Sequence, residues 1–382
     1  MCLMTPSRDE GVFAWEDRLM SYPLVSTMPH HVDRYRLPLF TTEFGAVLRD
    51  VEIAYETFGT LHRNADNVIL LCHALTGDAH VGDDADRTGW WGPLIGPTKT
   101  FDTEKYFIVC ANVLGGCAGT TGPSSPMPGL TDTYGSTFPS ITIRDMVETQ
   151  YSLLRHLGVS RLQAVVGGSM GGMQALEWGL CHPDFVLRAA VLAATPAFST
   201  MAIAYNEVMR EAIVADPHFH DGNYDKYGVF PDRGLRIARM LGMITYRTAQ
   251  LFAERFGREQ THNDRTAMFQ IGSYLRYQGD KLVRRFDANS YLALMKAMDL
   301  HDIYRGRGQA HEVYEAYHAK LLFVGIDDDL LFPAKQLQQA ALEAVQCGVD
   351  ALYAHITSKF GHDAFLLEFE QLDAILRGFL AR

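Results

Sequence analysis

An apolar run that ends on Gly167-Gly168-Ser169-Met170-Gly171-Gly172 leaves a chain few folds to adopt. Residues 162–166 are short and Val-rich like a buried strand, while 173–182 carry helical spacing. A strand that becomes a helix within about two residues strains the backbone of the residue between them and crowds the positions two before and two after. Gly167 and Gly171, without a Cβ, occupy those crowded positions. The turn aims the Met170 N–H and the free amides of the new helix at the Ser169 hydroxyl, where an oxyanion would develop. Ser169 is therefore a candidate nucleophile at a strand-to-helix turn.

Similar short apolar runs recur at 68–72, 106–111, 189–193, 321–326 and 351–355, of the kind buried on both faces of a parallel sheet. Helical patterns separate most of them, notably 143–157, so the chain reads as a doubly wound, mostly parallel α/β sheet. Residues 35–41 and 47–58 alternate around Glu43-Phe44-Gly45, which predicts an antiparallel hairpin ahead of the sheet. The rhythm breaks from 196 to 317, where no strand pattern occurs and helical spacing appears at 206–215, 234–241, 246–256 and 290–299. A helical insertion there would roof the carboxyl ends of the strands, where α/β sheets keep their sites. The expected division is an irregular arm over 1–34, sheet core over 35–195, helical lid over 196–317 and the rest of the core over 318–382.

Composition narrows the function. At 382 residues, 47% hydrophobic, the chain can bury a sizeable core. A formal charge of -11 with no basic stripe argues against nucleic acid as a partner, because phosphate backbones are held by Lys and Arg. The N-terminus lacks the apolar core of a secretory signal and no run is long enough to span a membrane, so a cytoplasmic protein without a membrane partner is expected. The six cysteines lack paired spacing, which fits reduced thiols rather than disulfides or zinc.

A serine nucleophile needs a base and an orienting acid, each on a loop after a late strand. The run 321–326 is followed by Asp327-Asp328-Asp329, and 351–356 is followed by Gly361-His362-Asp363. Spacing makes His362 the candidate base and leaves the acid open among the three aspartates. The loop after 68–72 reads His73-Ala74-Leu75-Thr76-Gly77, so the Leu75 N–H joins that of Met170 as a candidate oxyanion donor. His218-Phe219-His220 lacks a matching cluster, and His311-Glu312 fails the zinc-protease spacing at Glu315. Neither a metal site nor a phosphate-binding loop is expected.

Beyond this order of groups, which is that of the α/β-hydrolases, longer stretches resemble the homoserine O-acetyltransferases. They include His73-Ala74-Leu75-Thr76-Gly77-Asp78, Gly89-Trp90-Trp91, Asn112-Val113-Leu114-Gly115-Gly116-Cys117, the Gly-Gly-Ser-Met-Gly-Gly turn, Ile244-Thr245-Tyr246, Ser273-Tyr274-Leu275-Arg276-Tyr277-Gln278-Gly279 and Gly361-His362-Asp363. The likeness runs from about residue 35 to the C-terminus.

The resemblance implies Ser169 as nucleophile, His362 as base and Asp329 as acid, the last because it directly precedes Leu330-Leu331-Phe332-Pro333. Asp328 stands where the family commonly has Ser. The resemblance further implies Arg239 for the carboxylate of an amino-acid acceptor, Asp363 for its ammonium and Tyr246 as a pocket wall. It implies acetyl-CoA and L-homoserine as substrates in methionine biosynthesis, no bound cofactor, and a homodimer joined through lid helices. Succinyl transfer, serine as acceptor, ester hydrolysis and a non-catalytic binding role are the alternatives, and no residue of the sequence decides between acetyl and succinyl donors.

Overall fold

The structure, a computed structural model, describes residues 32–85, 87–261 and 268–382. Most of the expected N-terminal arm, residues 1–31, lies outside them. Its expected boundary at 34 is two residues too late. Strand β1 (Asp33–Thr41) begins at Asp33, because Asp33 and Arg34 already pair with Tyr55 and Ala54 of β2 (Val47–Phe58).

Eight strands form one sheet in the order β1-β2-β4-β3-β5-β6-β7-β8. The hairpin β1–β2 joins antiparallel to β4 (Phe107–Ala111), and from there every pairing is parallel. β3 (Val68–Cys72), β5 (Leu162–Gly168), β6 (Arg188–Leu192) and β7 (Lys320–Ile326) are almost wholly buried, which is why the sequence writes them as continuous apolar runs. β8 (Ala351–Ile356), at the edge, is covered less completely. The switch in strand order falls between β3 and β5, so a crevice opens at their carboxyl ends, and the turn after β5 carries Ser169.

Helices α1 (Ile143–His156) and α2 (Met170–Cys181) follow β4 and β5. From Met170 to Leu180 every residue of α2 is buried. A helix buried on every side sits inside the molecule, its polar Gln174 and Glu177 held by Gln150 and Arg144, and it fixes the Ser169 turn to the core.

Between β6 and β7 the described residues form no strand. The chain makes α3 (Thr200–Val214), α4 (Asp232–Thr245), α5 (Ala249–Phe256), α6 (Gln270–Val283), α7 (Ala288–Asp299) and the short α8 (Ala310–Glu315). The spacing read from sequence finds α3, α4, α5 and α7 but starts α3 six residues late and misses α6 and the short α8. On the return to β7, the buried Glu177 of α2 accepts from Arg144 Nε at 3.1 Å and from Arg307 Nη2 at 2.6 Å. Arg144 also donates to the carbonyls of Asp302 at 3.1 Å and Arg305 at 2.8 Å, which ties the end of the helical segment to α1 and α2. The chain closes with α9 (Ala334–Gln346) and α10 (Phe369–Leu380) beside β7 and β8.

Candidate active site

Ser169 takes φ 57° and ψ -124° at the N-cap of α2, a conformation L-residues seldom adopt. Its amide donates to the Leu192 carbonyl at 2.9 Å, and its carbonyl accepts from Gly172 N at 2.8 Å, so strand and helix both hold the strained residue. A Cβ at Gly171 would collide with the carbonyl of Cys72, and one at Gly167 with Gly171 itself. Ser169 lines a cavity of about 130 Å³ under the helical segment.

His362 lies in a 3₁₀ turn, Gly361–Leu366, after β8. Its Nδ1 lies 2.7 Å from Asp329 Oδ2, and both residues are buried. Asp329 Oδ1 in turn accepts the amides of Leu331 and Phe332, each at 2.9 Å. These bonds separate the three aspartates that spacing leaves open. Asp327 pairs with His355 Nε2 at 2.7 Å, and Asp328 is exposed at φ 51°. Only Asp329 reaches His362.

Burial by itself would push the His362 imidazole down. The Asp329 charge and hydrogen bond outweigh that and, with help from Asp363, hold it above the ordinary histidine value. Phe332 stacks on the imidazole with centroids 5.4 Å apart, and Phe365 meets it edge-on at 5.6 Å. The loop bearing Asp329 and the turn bearing His362 therefore each supply an aromatic wall. Trp91 Nε1 donates to the Phe365 carbonyl at 2.9 Å, so the Gly89-Trp90-Trp91 stretch props the His362 turn from below.

Leu75 lines the cavity, while the Met170 side chain is buried in the core and can offer the site only its backbone N–H. As the first residue of α2, Met170 has an amide without an intrahelical partner. The Leu75 loop is stapled by a residue the sequence reading passes over. His73 Nδ1 lies 2.8 Å from the Ala74 carbonyl, and Nε2 accepts the Val113 amide at 3.1 Å. Burial holds His73 below the ordinary value, which keeps it neutral and able to do both. Arg285, two residues past the end of α6, donates to the Thr76 carbonyl at 2.8 Å and secures the loop from above.

Arg239, Tyr246 and Asp363 all line the same cavity. Arg239 is 6% exposed, its guanidinium lies 5.5 Å from the Tyr246 ring, and its Nε is buried without a hydrogen-bond partner. Asp363 is bonded by Arg247, a buried cavity residue that sequence reasoning missed although it follows Ile244-Thr245-Tyr246 directly. A buried arginine forced to pair is a signal only the folded chain carries. His218 and His220 are exposed and gather no third metal ligand among the described residues. Cys117 stays off the cavity with its thiol pushed up to about 12 by burial.

The family model of the α/β-hydrolase fold matches residues 67–368. The homoserine O-acetyltransferase of Carboxydothermus hydrogenoformans is 49% identical over 90% of this chain and 93% of its own length. This chain belongs to the homoserine O-acetyltransferase family. The solved homoserine O-acetyltransferase of Bacillus anthracis superposes with a TM-score of 0.86 at 28% identity, covering 93% of this chain and 99% of that one. Esterase E22 superposes with a TM-score of 0.85 at 29% identity, covering 92% and 99%. Among the described residues no helix is long and apolar enough to cross a membrane.

Proposed function

We propose that this chain transfers an acetyl group from acetyl-CoA to the γ-hydroxyl of L-homoserine, in methionine biosynthesis, through an acetyl-Ser169 intermediate. His362 Nε2 takes the Ser169 proton as Oγ attacks the thioester carbonyl, with Asp329 fixing the imidazole tautomer. The Leu75 and Met170 amides hold the oxyanion. On collapse the C–S bond breaks and the thiolate leaves with the proton from His362. The homoserine hydroxyl then gives its proton to His362 and attacks the acetyl-serine. Collapse of the second tetrahedral intermediate releases the ester and returns the proton to Ser169 Oγ. Acetyl-CoA is consumed as a substrate, and no resident cofactor is needed.

The observation that carries this reading is Arg239, a buried guanidinium with an unpartnered Nε in the cavity that holds Ser169 and His362. A buried cation without a full set of partners is costly, and an acceptor carboxylate supplies them, gripped by a planar fork. A neutral ester would not. In this reading Asp363 meets the ammonium, Tyr246 closes the pocket wall, and the segment 196–317 is the lid that keeps water from the acyl-serine. Hydrolysis is the second reading, favoured by the match to esterase E22. The test mixes enzyme with acetyl-CoA and follows acyl-serine by mass spectrometry and product with and without homoserine. Adduct on Ser169, none in Ser169→Ala, and O-acetylhomoserine as main product are expected. Acetyl-CoA hydrolysis indifferent to homoserine would refute transfer.

Our reading includes a cytoplasmic homodimer. Met201 and Val208 of α3, Ile237 and Ile244 of α4 and Tyr277 of α6 are exposed on the helical segment, apolar side chains that a second copy would cover. Light scattering after size exclusion checks it: twice the chain mass is expected, and a monomer for Val208→Asp combined with Ile237→Asp.

A further inference from the structure

The reaction scheme leaves one buried polar side chain of the cavity unused. Gln278 is 3% exposed, lines the cavity with Ser169, His362 and Arg239, and its Oε1 is buried without a hydrogen-bond partner. Native chains seldom leave such an acceptor unmatched. As the amide is oriented, Oε1 calls for a donor, which an ammonium supplies and a carboxylate does not.

Its place in the fold narrows the donor. Gln278 lies on α6, which packs against α4 where a Cβ at its neighbour Gly279 would stand 2.9 Å from the Arg236 carbonyl. Arg239 lies three residues on from Arg236, one turn along the same face of α4. The unpartnered Oε1 and the unpartnered guanidinium nitrogen thus reach one cavity from adjacent turns of two packed helices. An amino acid carries its ammonium and carboxylate on a single carbon, so the groups that read them must also be neighbours. The ammonium has three donors, while the one carboxylate near it, Asp363, is engaged on Oδ2 by Arg247.

We propose that Gln278 reads the α-ammonium of the acceptor: Oε1 takes one of its N–H donors while Arg239 grips the carboxylate. The inference rests on the cavity being an amino-acid acceptor site, and it makes Gln278 a selectivity residue with no part in forming the acyl-serine. The γ-hydroxyl is not its ligand, because that group must deliver its proton to His362.

The experiment compares L-homoserine with 4-hydroxybutyrate, which keeps the hydroxyl and the carboxylate but lacks the amine. Wild-type transfer to homoserine is measured first, and its absence would overturn the parent reading before any variant is made. Gln278→Met keeps the length and removes the acceptor. Its kcat/KM for homoserine should fall about 10–100-fold, the loss of one hydrogen bond to a charged group, while that for 4-hydroxybutyrate changes less than about threefold. The burst of CoA released from acetyl-CoA alone should stay at its wild-type amplitude and rate. An equal fall for both acceptors, or a lost burst, would show a merely structural role and overturn the proposal. Gln278→Glu keeps an acceptor and should preserve or raise the preference for homoserine; a preference as low as that of the Met variant would also overturn it.

Discussion

Asp329→Asn tests the acid assignment most sharply, because the structure dictates which way the new amide must face. Asp329 Oδ1 accepts the Leu331 and Phe332 amides at 2.9 Å each. An Asn that turned its NH₂ toward them would leave two buried N–H groups unpaired, at about 1–3 kcal/mol apiece. The carbonyl therefore stays with the loop and the NH₂ faces His362 Nδ1. That nitrogen must then accept, which moves the imidazole proton to Nε2, where it blocks uptake of the Ser169 proton. The same exchange in a serine-protease triad costs about 10⁴-fold, or about 5.5 kcal/mol at 1.36 per tenfold. Steady-state kcat/KM for acetyl transfer should fall by about that factor. The acid limb of its pH profile should also move to lower pH, because the Asp329 charge that raises His362 is gone. Asp328→Asn should keep activity within about threefold, since Asp328 is exposed and Asn tolerates a positive φ. Asp329→Asn within tenfold of wild type, or Asp328→Asn as the crippled variant, would refute the reasoning.

Two further perturbations follow from the same contacts. Glu177→Ala leaves Arg144 and Arg307 partly buried without their shared carboxylate, so urea unfolding should show a loss of about 3–5 kcal/mol. The His362 contribution to stability should depend on pH. Its folded value is raised above the unfolded one, so the protonated pair with Asp329 favours the folded state fully below the ordinary histidine value of about 6.5 and fades as pH rises through the folded value. The stability gap between wild type and His362→Gln, by urea titration, should therefore be wider at about pH 6 than at about pH 9.

The sheet was legible because strands buried on both faces have no polar side to write, and the Ser169 turn because crowding admits little but glycine. Helix α6 was not. Its buried positions are Tyr274, Gln278, Gly279 and Leu282, and the polar Gln278 and side-chain-free Gly279 erase the apolar stripe that periodicity relies on. A buried polar residue on the cavity wall and a glycine at a close helix approach hide the element that presents them. Likewise Asp327, Asp328 and Asp329 are equal in spacing and are told apart only by backbone direction: one turns to His355, one to solvent, one to His362. Arg247 and His73 act through partners distant in sequence, Asp363 and Val113, which no local pattern announces.

The aromatic walls around His362 have a consequence for how such a scaffold changes its trade. Phe332 and Phe365 belong to the same two loops as Asp329 and His362, so these loops bring much of their own enclosure, to which the helical segment adds the Tyr246 ring, 5.7 Å from that of His362, and Arg285 on the Leu75 loop. Arg239 and Gln278 come from the helices of that segment. On the proposed roles the acyl-serine is made by the two core loops, while the acceptor is read mostly from the helices, with Asp363 the one acceptor-reading group that the core turn supplies. On those roles, substitutions at Arg239 and Gln278 would change the preferred acceptor while Ser169, Asp329 and His362 stay in place, and one architecture serves a transferase and an esterase alike.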